Sequence, residues 1–308
     1  MSVIETQSLS KVYRHGLRKV VALDDFTISI EEGEIFGLIG PNGAGKTTMM
    51  KLLLGLIYPT SGRAQIFGLD THQVTARREL GFLPENPYFS PHLTGRGLLQ
   101  FHGRLYGIER PRLDDRIPAL LEQVGLAGFG DTQLRRYSRG MLQRVGIAQA
   151  LLNDPSLVLF DEPMGGLDPI GRRLVRQIML DLRDHGVTVL FCSHNLVDVE
   201  NLCDRVAILA AGRLRRVCRI DELSEKHVVE IEIEAGGLSK KSLDRITALA
   251  KRVLRRGDLA SIYASDYARA QQIAQIVNED PQGQLILFVS HRRSLEEVFI
   301  QDIRESHS

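Results

Sequence analysis

Residues 40–47 read Gly40-Pro41-Asn42-Gly43-Ala44-Gly45-Lys46-Thr47, an unbroken match to the pattern G-x-x-x-x-G-K-[ST]. Its chemistry follows from residue type. Gly40, Gly43 and Gly45 let the backbone turn tightly and aim successive N–H groups inward at phosphate oxygens. Lys46 sets a flexible positive charge against the outer phosphates, and Thr47 offers a hydroxyl to a magnesium ion. With Thr48 carrying the stretch into the next element, residues 40–48 form a candidate phosphate cradle.

The flanks suit that reading. Glu34-Ile35-Phe36-Gly37-Leu38-Ile39 is an apolar run that predicts a buried strand, and Lys46 to Leu56 predicts a helix whose N-terminus favours anions. Upstream, Val3 to Ile30 alternates apolar and polar residues like a β-meander, with Val12, Val21, Ile28 and Ile30 on the apolar beat. Downstream, Leu98 to Leu134 follows a helical period punctuated by Pro111, Pro118 and Gly125. The short apolar runs Leu157 to Phe160, Val187 to Phe191 and Val206 to Leu209 suit buried parallel strands. The expectation is one α/β unit over residues 1–218.

After a charged connector from Asp221 to Lys226 the character changes. Val228 to Glu234 alternates strictly, as a strand with one wet face does. Helical stretches from Ser242 to Leu254 and Ser265 to Val277 follow, then a strand Leu285 to Val289 and a helix from Ser294. Residues 219–308 therefore read as a small α+β accessory domain without a catalytic motif.

Bulk properties narrow the function classes. The 308 residues are 43% hydrophobic and 25% charged, as in an ordinary soluble protein. A net charge of +1 gives no broad positive field for nucleic acid. No stretch approaches the roughly 18 apolar residues of a membrane helix, and Met1 to Ser10 lacks the apolar core of a signal peptide. The three cysteines, Cys192, Cys203 and Cys218, form no CxxC pair, so reduced thiols in a cytosolic setting are expected.

A second motif adds chemistry. Leu157 to Phe160 ends in Asp161-Glu162, and acids at the carboxyl edge of a parallel strand sit where open α/β sheets bind ligands. Alone, the pair is a charged turn. Beside the octet, Asp161 reads as a magnesium ligand acting through water and Glu162 as the group that orients or deprotonates an attacking water.

At this point the chain resembles the ATP-binding subunits of ABC transporters over roughly residues 3–218. Tyr137-Ser138-Arg139-Gly140-Met141-Leu142-Gln143-Arg144 stands where that family carries its Leu-Ser-Gly-Gly-Gln signature. Arg139 and Met141 depart from the consensus, while Ser138 is a good N-cap and Gly140 allows backbone N–H groups to approach a phosphate. The resemblance implies further roles. Tyr13 matches the aromatic on which adenine stacks. Gly165-Gly166-Leu167-Asp168 matches the loop through which paired subunits communicate, with Asp168 at the composite site. His194, after Ser193, matches the switch histidine that meets the γ-phosphate. Glu85, in Gly81-Phe82-Leu83-Pro84-Glu85-Asn86, stands where most relatives have Gln, and it offers a carboxylate to metal or water.

The fold so implied is a P-loop ABC-type ATPase with a β-subdomain, a RecA-like core and a helical subdomain over about residues 85–150, followed by the α+β domain. The implied cofactors are ATP and Mg2+, with Lys46, Glu162 and His194 catalytic. The implied partners are a second copy, head to tail, and a separate integral membrane permease that holds the chain at the cytoplasmic face. Leu83-Pro84-Glu85-Asn86, Tyr137 to Met141 and Ser294-Leu295-Glu296-Glu297-Val298-Phe299 resemble the subfamily that works with ABC-2-type export permeases. The competing reading is a soluble ABC-type ATPase acting on ribosomes or DNA. Such proteins commonly carry two cassettes or a long coiled-coil insertion, and this chain has one cassette and no sustained heptads.

Overall fold

The computed structural model describes residues 1–16, 18–225, 228–292 and 295–305. Lys226, in the expected connector, and Ser294, at the expected start of the last helix, lie outside the described residues. The chain divides into two compact units: Met1–Arg219 together with the chain end from Gln301, and Ile220–Ile300.

The first unit begins with β1 (Ser2–His15), β2 (Arg18–Phe26) and β3 (Ser29–Glu31). The expected meander is corrected here: the strands are antiparallel, but β3 returns to pair with the start of β1 and does not continue from β2. There follow β4 (Ile35–Ile39) and α1 (Lys46–Leu53). The helix stops short of the expected Leu56 because Gly55 turns left-handed with φ +62°. After it, β5 (Ser61–Ile66) and β6 (Leu69–Asp70) complete the antiparallel sheet in the order β2-β1-β5-β6, with β3 on β1.

Next come β7 (Leu80–Leu83), α2 (Gly95–Leu105), α3 (Arg110–Gln123) and α4 (Arg139–Ala150). Pro111 sits in the first turn of α3, where its missing N–H is not needed, whereas Pro118 lies inside the helix without ending it. The remaining elements of this unit are β8 (Leu157–Asp161), α5 (Pro169–Asp184), β9 (Thr188–Ser193), α6 (Leu196–Leu202), β10 (Arg205–Ala210) and β11 (Arg213–Arg219).

A second sheet orders its strands β11-β10-β4-β9-β8-β7, parallel throughout except for the edge pair β10–β11. Every residue of β4, β8 and β9 is buried, so side chains pack on both faces of the sheet. Phe36, Phe160 and Phe191 are its largest fully enclosed side chains. At the chain end, Arg216 of β11 donates through Nε at 2.8 Å and Nη2 at 2.9 Å to the carboxylate of buried Asp302.

The second unit contains α7 (Ile220–Glu225), β12 (Val228–Gly236), α8 (Lys240–Leu249), β13 (Arg252–Arg256), β14 (Leu259–Ala264), α9 (Tyr267–Glu279), β15 (Gln284–Arg292) and the first part of α10 (Leu295–Glu305). Its antiparallel sheet runs β13-β14-β12-β15 around a core that includes Ile231, Ile233, Ile262, Ile273 and Val277. Here the expected helix Ser242 to Leu254 is corrected. It ends at Leu249, and Arg252 to Arg256 becomes an edge strand paired with β14. Among the described residues no helix is long and apolar enough to cross a membrane.

Phe191 lies in a central strand with no exposed surface. Phe191→Ala is expected to destabilise the first unit by about 3–5 kcal/mol, through lost burial and the cavity left behind. The measure is the urea midpoint of that unit's own unfolding transition; a shift below about 1 kcal/mol contradicts the packing described.

Candidate active site

The parallel sheet delivers four consecutive strand ends to one edge. In spatial order, β4 leads into the octet, β9 into His194, β8 into Asp161-Glu162 and β7 into Glu85. Sequence separations exceeding a hundred residues are thereby closed.

In the octet, two glycines have no room for a side chain. A Cβ on Gly40 would collide with the Leu209 carbonyl oxygen, and one on Gly45 with that of Ala22. Gly43 and Gly45 also have φ of +79° and +112°, which L side chains rarely adopt. Gly45 precedes α1 and no side chain caps that helix, so its first N–H groups stay available to an anion. Lys46 folds back over the loop and donates from Nζ to the carbonyls of Gly40 at 2.6 Å and Pro41 at 3.1 Å. Ala44 is buried, with its N–H on the Pro41 carbonyl, while Pro41, Asn42 and Gly43 are exposed. Thr47 and Thr48 lie in the first turn of α1.

The acids occupy different surroundings. Asp161 is buried at the end of β8. Burial first, then the negative charges of Glu85 and Glu162, push its carboxyl up to about 6, against the pull of Lys46 and Lys51. Glu162 leaves the strand with φ +50°, a left-handed conformation uncommon for a non-glycine residue. Its Oε1 lies 2.8 Å from Nδ1 of His194. Thus His194, 72% exposed as a side chain, faces a glutamate that is only 14% exposed.

The signature segment forms the start of α4. Ser138 caps it, accepting from the Met141 N–H at 3.2 Å, and a Cβ on Gly140 would rest 3.2 Å from Cδ2 of Leu167. Among the described residues no hydrogen bond joins Ser138 or Gly140 to the octet. Asp168 caps α5 through the Gly171 N–H at 2.7 Å. Tyr13 is half-buried on the β1–β2 hairpin opposite Val20, with the Lys11 ammonium 5.3 Å from its ring centroid. Two positions farther along β2, Ala22 backs onto Gly45.

One residue of the signature segment received no role from the sequence. Gln143 is buried, and its Nε2 donates to the carbonyls of Glu162 at 3.1 Å and Pro163 at 3.3 Å. Its signal is an amide on the helix face that continues as Ile147 and Ala150, where the period calls for an apolar side chain.

Comparison with known proteins places this geometry. The family model described as ABC transporter matches residues 23–165. An uncharacterized ABC transporter ATP-binding protein of Synechocystis sp. is 41% identical, over 99% of this chain and 85% of the relative. A Nod factor export ATP-binding protein of Cupriavidus metallidurans is 33% identical, over 87% of this chain and 88% of the relative. Among solved structures, a dimeric ATP-binding cassette bound to ADP and Pi in a post-hydrolysis state superposes with a TM-score of 0.66 at 25% identity, covering 70% of this chain and 98% of that one.

The Asp161 environment has a pH signature. Its folded value of about 6 exceeds the ordinary 3.8, so folding favours the protonated form. The associated stability is fully present below about pH 4 and is lost as pH rises through about 6. In metal-free buffer, Asp161→Asn is expected to gain melting temperature relative to wild type between about pH 4 and pH 8. A gap that stays constant or reverses contradicts the electrostatic assignment.

Proposed function

The chain belongs to the ABC transporter ATP-binding family, and from that premise we propose that it binds and hydrolyses ATP to drive export through a separate ABC-2-type membrane permease. The observation that carries this reading is the sharing of one sheet edge by the octet, His194, Asp161-Glu162 and Glu85. A site that handles phosphate, water and a cation needs those groups together, and they converge from four strands.

Roles follow from chemistry. Backbone N–H groups of the loop and of the first turn of α1, from Gly43 through Gly45 to Thr48, and the Lys46 ammonium bind the phosphates, and Lys46 exchanges its loop carbonyls for phosphate oxygens. Glu162 orients and deprotonates the attacking water. His194 holds the Glu162 carboxylate in place and reaches toward the γ-phosphate. Tyr13 offers its ring to adenine.

The donor set also fits a magnesium ion. A buried carboxyl raised by two neighbouring carboxylates is a position that a cation relieves, and Asp161, Thr47 and Glu85 would hold it. When bound, magnesium offsets negative charge on the phosphoryl oxygens.

The second half of the site would come from another copy. Ser138 and Gly140 start a helix without a hydrogen bond to the octet in their own chain, which leaves them free to meet a partner's nucleotide. With Asp168 they would complete the site in a head-to-tail dimer, and the similar cassette bound to ADP and Pi is dimeric. Export is supported by the relative named for Nod factor export, and transport by a 37% identical bacitracin transport ATP-binding protein. Movement would reach the permease through the helical region from Glu85 to Leu134. Residues 219–308 would serve as an accessory domain.

Glu162→Gln is expected to leave ATP binding intact, to lower turnover by about a hundredfold or more and to accumulate a closed dimer. Steady-state phosphate release and size-exclusion chromatography with ATP read these outcomes. Undiminished turnover sinks the assignment, and purification away from membranes in complex with ribosomes sinks the transporter reading.

A further inference from the structure

We propose that Gln143 is a positioning residue for ATP hydrolysis: its buried amide fixes the Glu162 backbone and ties that carboxylate to the signature helix. The proposal rests on the assignment of Glu162 as the group that activates water.

Three contacts hold the Glu162 backbone. Its N–H donates to the Cys192 carbonyl of β9 at 3.0 Å. Its carbonyl accepts from the Gly165 N–H at 2.9 Å and from Nε2 of Gln143 at 3.1 Å. The first two belong to the neighbouring strand and to the same turn. Gln143 brings in a separate element, α4. Both of its partners are carbonyl oxygens, so the NH2 end of the amide must face them.

This matters because Glu162 adopts φ +50° immediately before Pro163, a conformation that surrounding contacts have to impose. With φ fixed, so is the direction in which the side chain leaves the backbone toward His194. Without Gln143, the Glu162 carbonyl keeps only the Gly165 N–H from its own turn, the Pro163 carbonyl loses the amide donor, and the bend is no longer tied to α4.

The same helix grips the far end of the loop. A Cβ on Gly166 would lie 2.8 Å from both Cδ and Nε of Arg139, whose Nη2 reaches Oδ1 of Asn86 at 3.5 Å. Gly140 packs against Leu167. The loop from Glu162 to Asp168 is therefore clasped by α4 at its head and its tail, and a shift of α4 moves the base.

Gln143→Met keeps length and shape but removes the donor. The full chain carrying it is expected to bind ATP with affinity and KM within about twofold of wild type, while kcat falls about tenfold or more. Gln143→Glu supplies a second reading, since its carboxyl donates only when protonated. Its kcat is expected to fall with rising pH at constant KM, departing from the wild-type profile. A kcat within about threefold of wild type in Gln143→Met overturns the proposal, as does loss of ATP binding in parallel with turnover, the mark of a merely structural role. If Gln143→Met does not fold, a Gln143→Glu profile matching wild type overturns it equally. Activity retained in Glu162→Gln would instead remove the underlying assignment, so the two failures are distinct.

Discussion

Parallel strands covered on both faces leave nowhere for polar chemistry except their ends. Every position of β4, β8 and β9 is buried, and an unpaired polar group there would pay the full desolvation penalty. The polar residues accordingly collect where the strands stop. Gly40 to Lys46, Asp161 with Glu162, and His194 all follow immediately at or after a buried carboxyl end. The packing of the sheet and the placement of the site are one constraint seen from two sides.

The electrostatics extend the same logic. Asp161 is close enough to water to keep a titratable carboxyl and buried enough to hold its proton unusually well. Glu85 adds to that effect as a second carboxylate at the same sheet edge. Glu85 and Glu162 therefore raise the negative charge around Asp161, and Lys46 and Lys51 are the compensating cations. A site so charged is suited to a divalent cation with a polyanion.

Much of this was legible in the residues. The octet, the acid pair and the buried strands are local patterns whose chemistry does not depend on distant contacts. What escaped depends on such contacts. Arg252-Val253-Leu254 reads as the tail of a helix, yet pairing with β14 recruits it, with Arg255 and Arg256, as an edge strand whose outward charge discourages further pairing. The left-handed turn at Glu162 has no glycine to announce it. The return of the chain end to the first unit includes an ion pair between residues far apart in sequence, Arg216 with Asp302, which no local pattern announces. Gln143 stood in the signature segment without a role, because its partners are backbone atoms that no motif records.

Clasping the loop by α4 gives the proposed head-to-tail pair a built-in crosstalk. In such a pair, the start of α4 would answer to the nucleotide lodged in the other subunit, whereas Glu162 would serve the nucleotide lodged in its own. The Gln143 amide joins the two within a single polypeptide. Each half of the engine would then sense whether its neighbour is loaded before committing its own fuel, through a single side-chain amide.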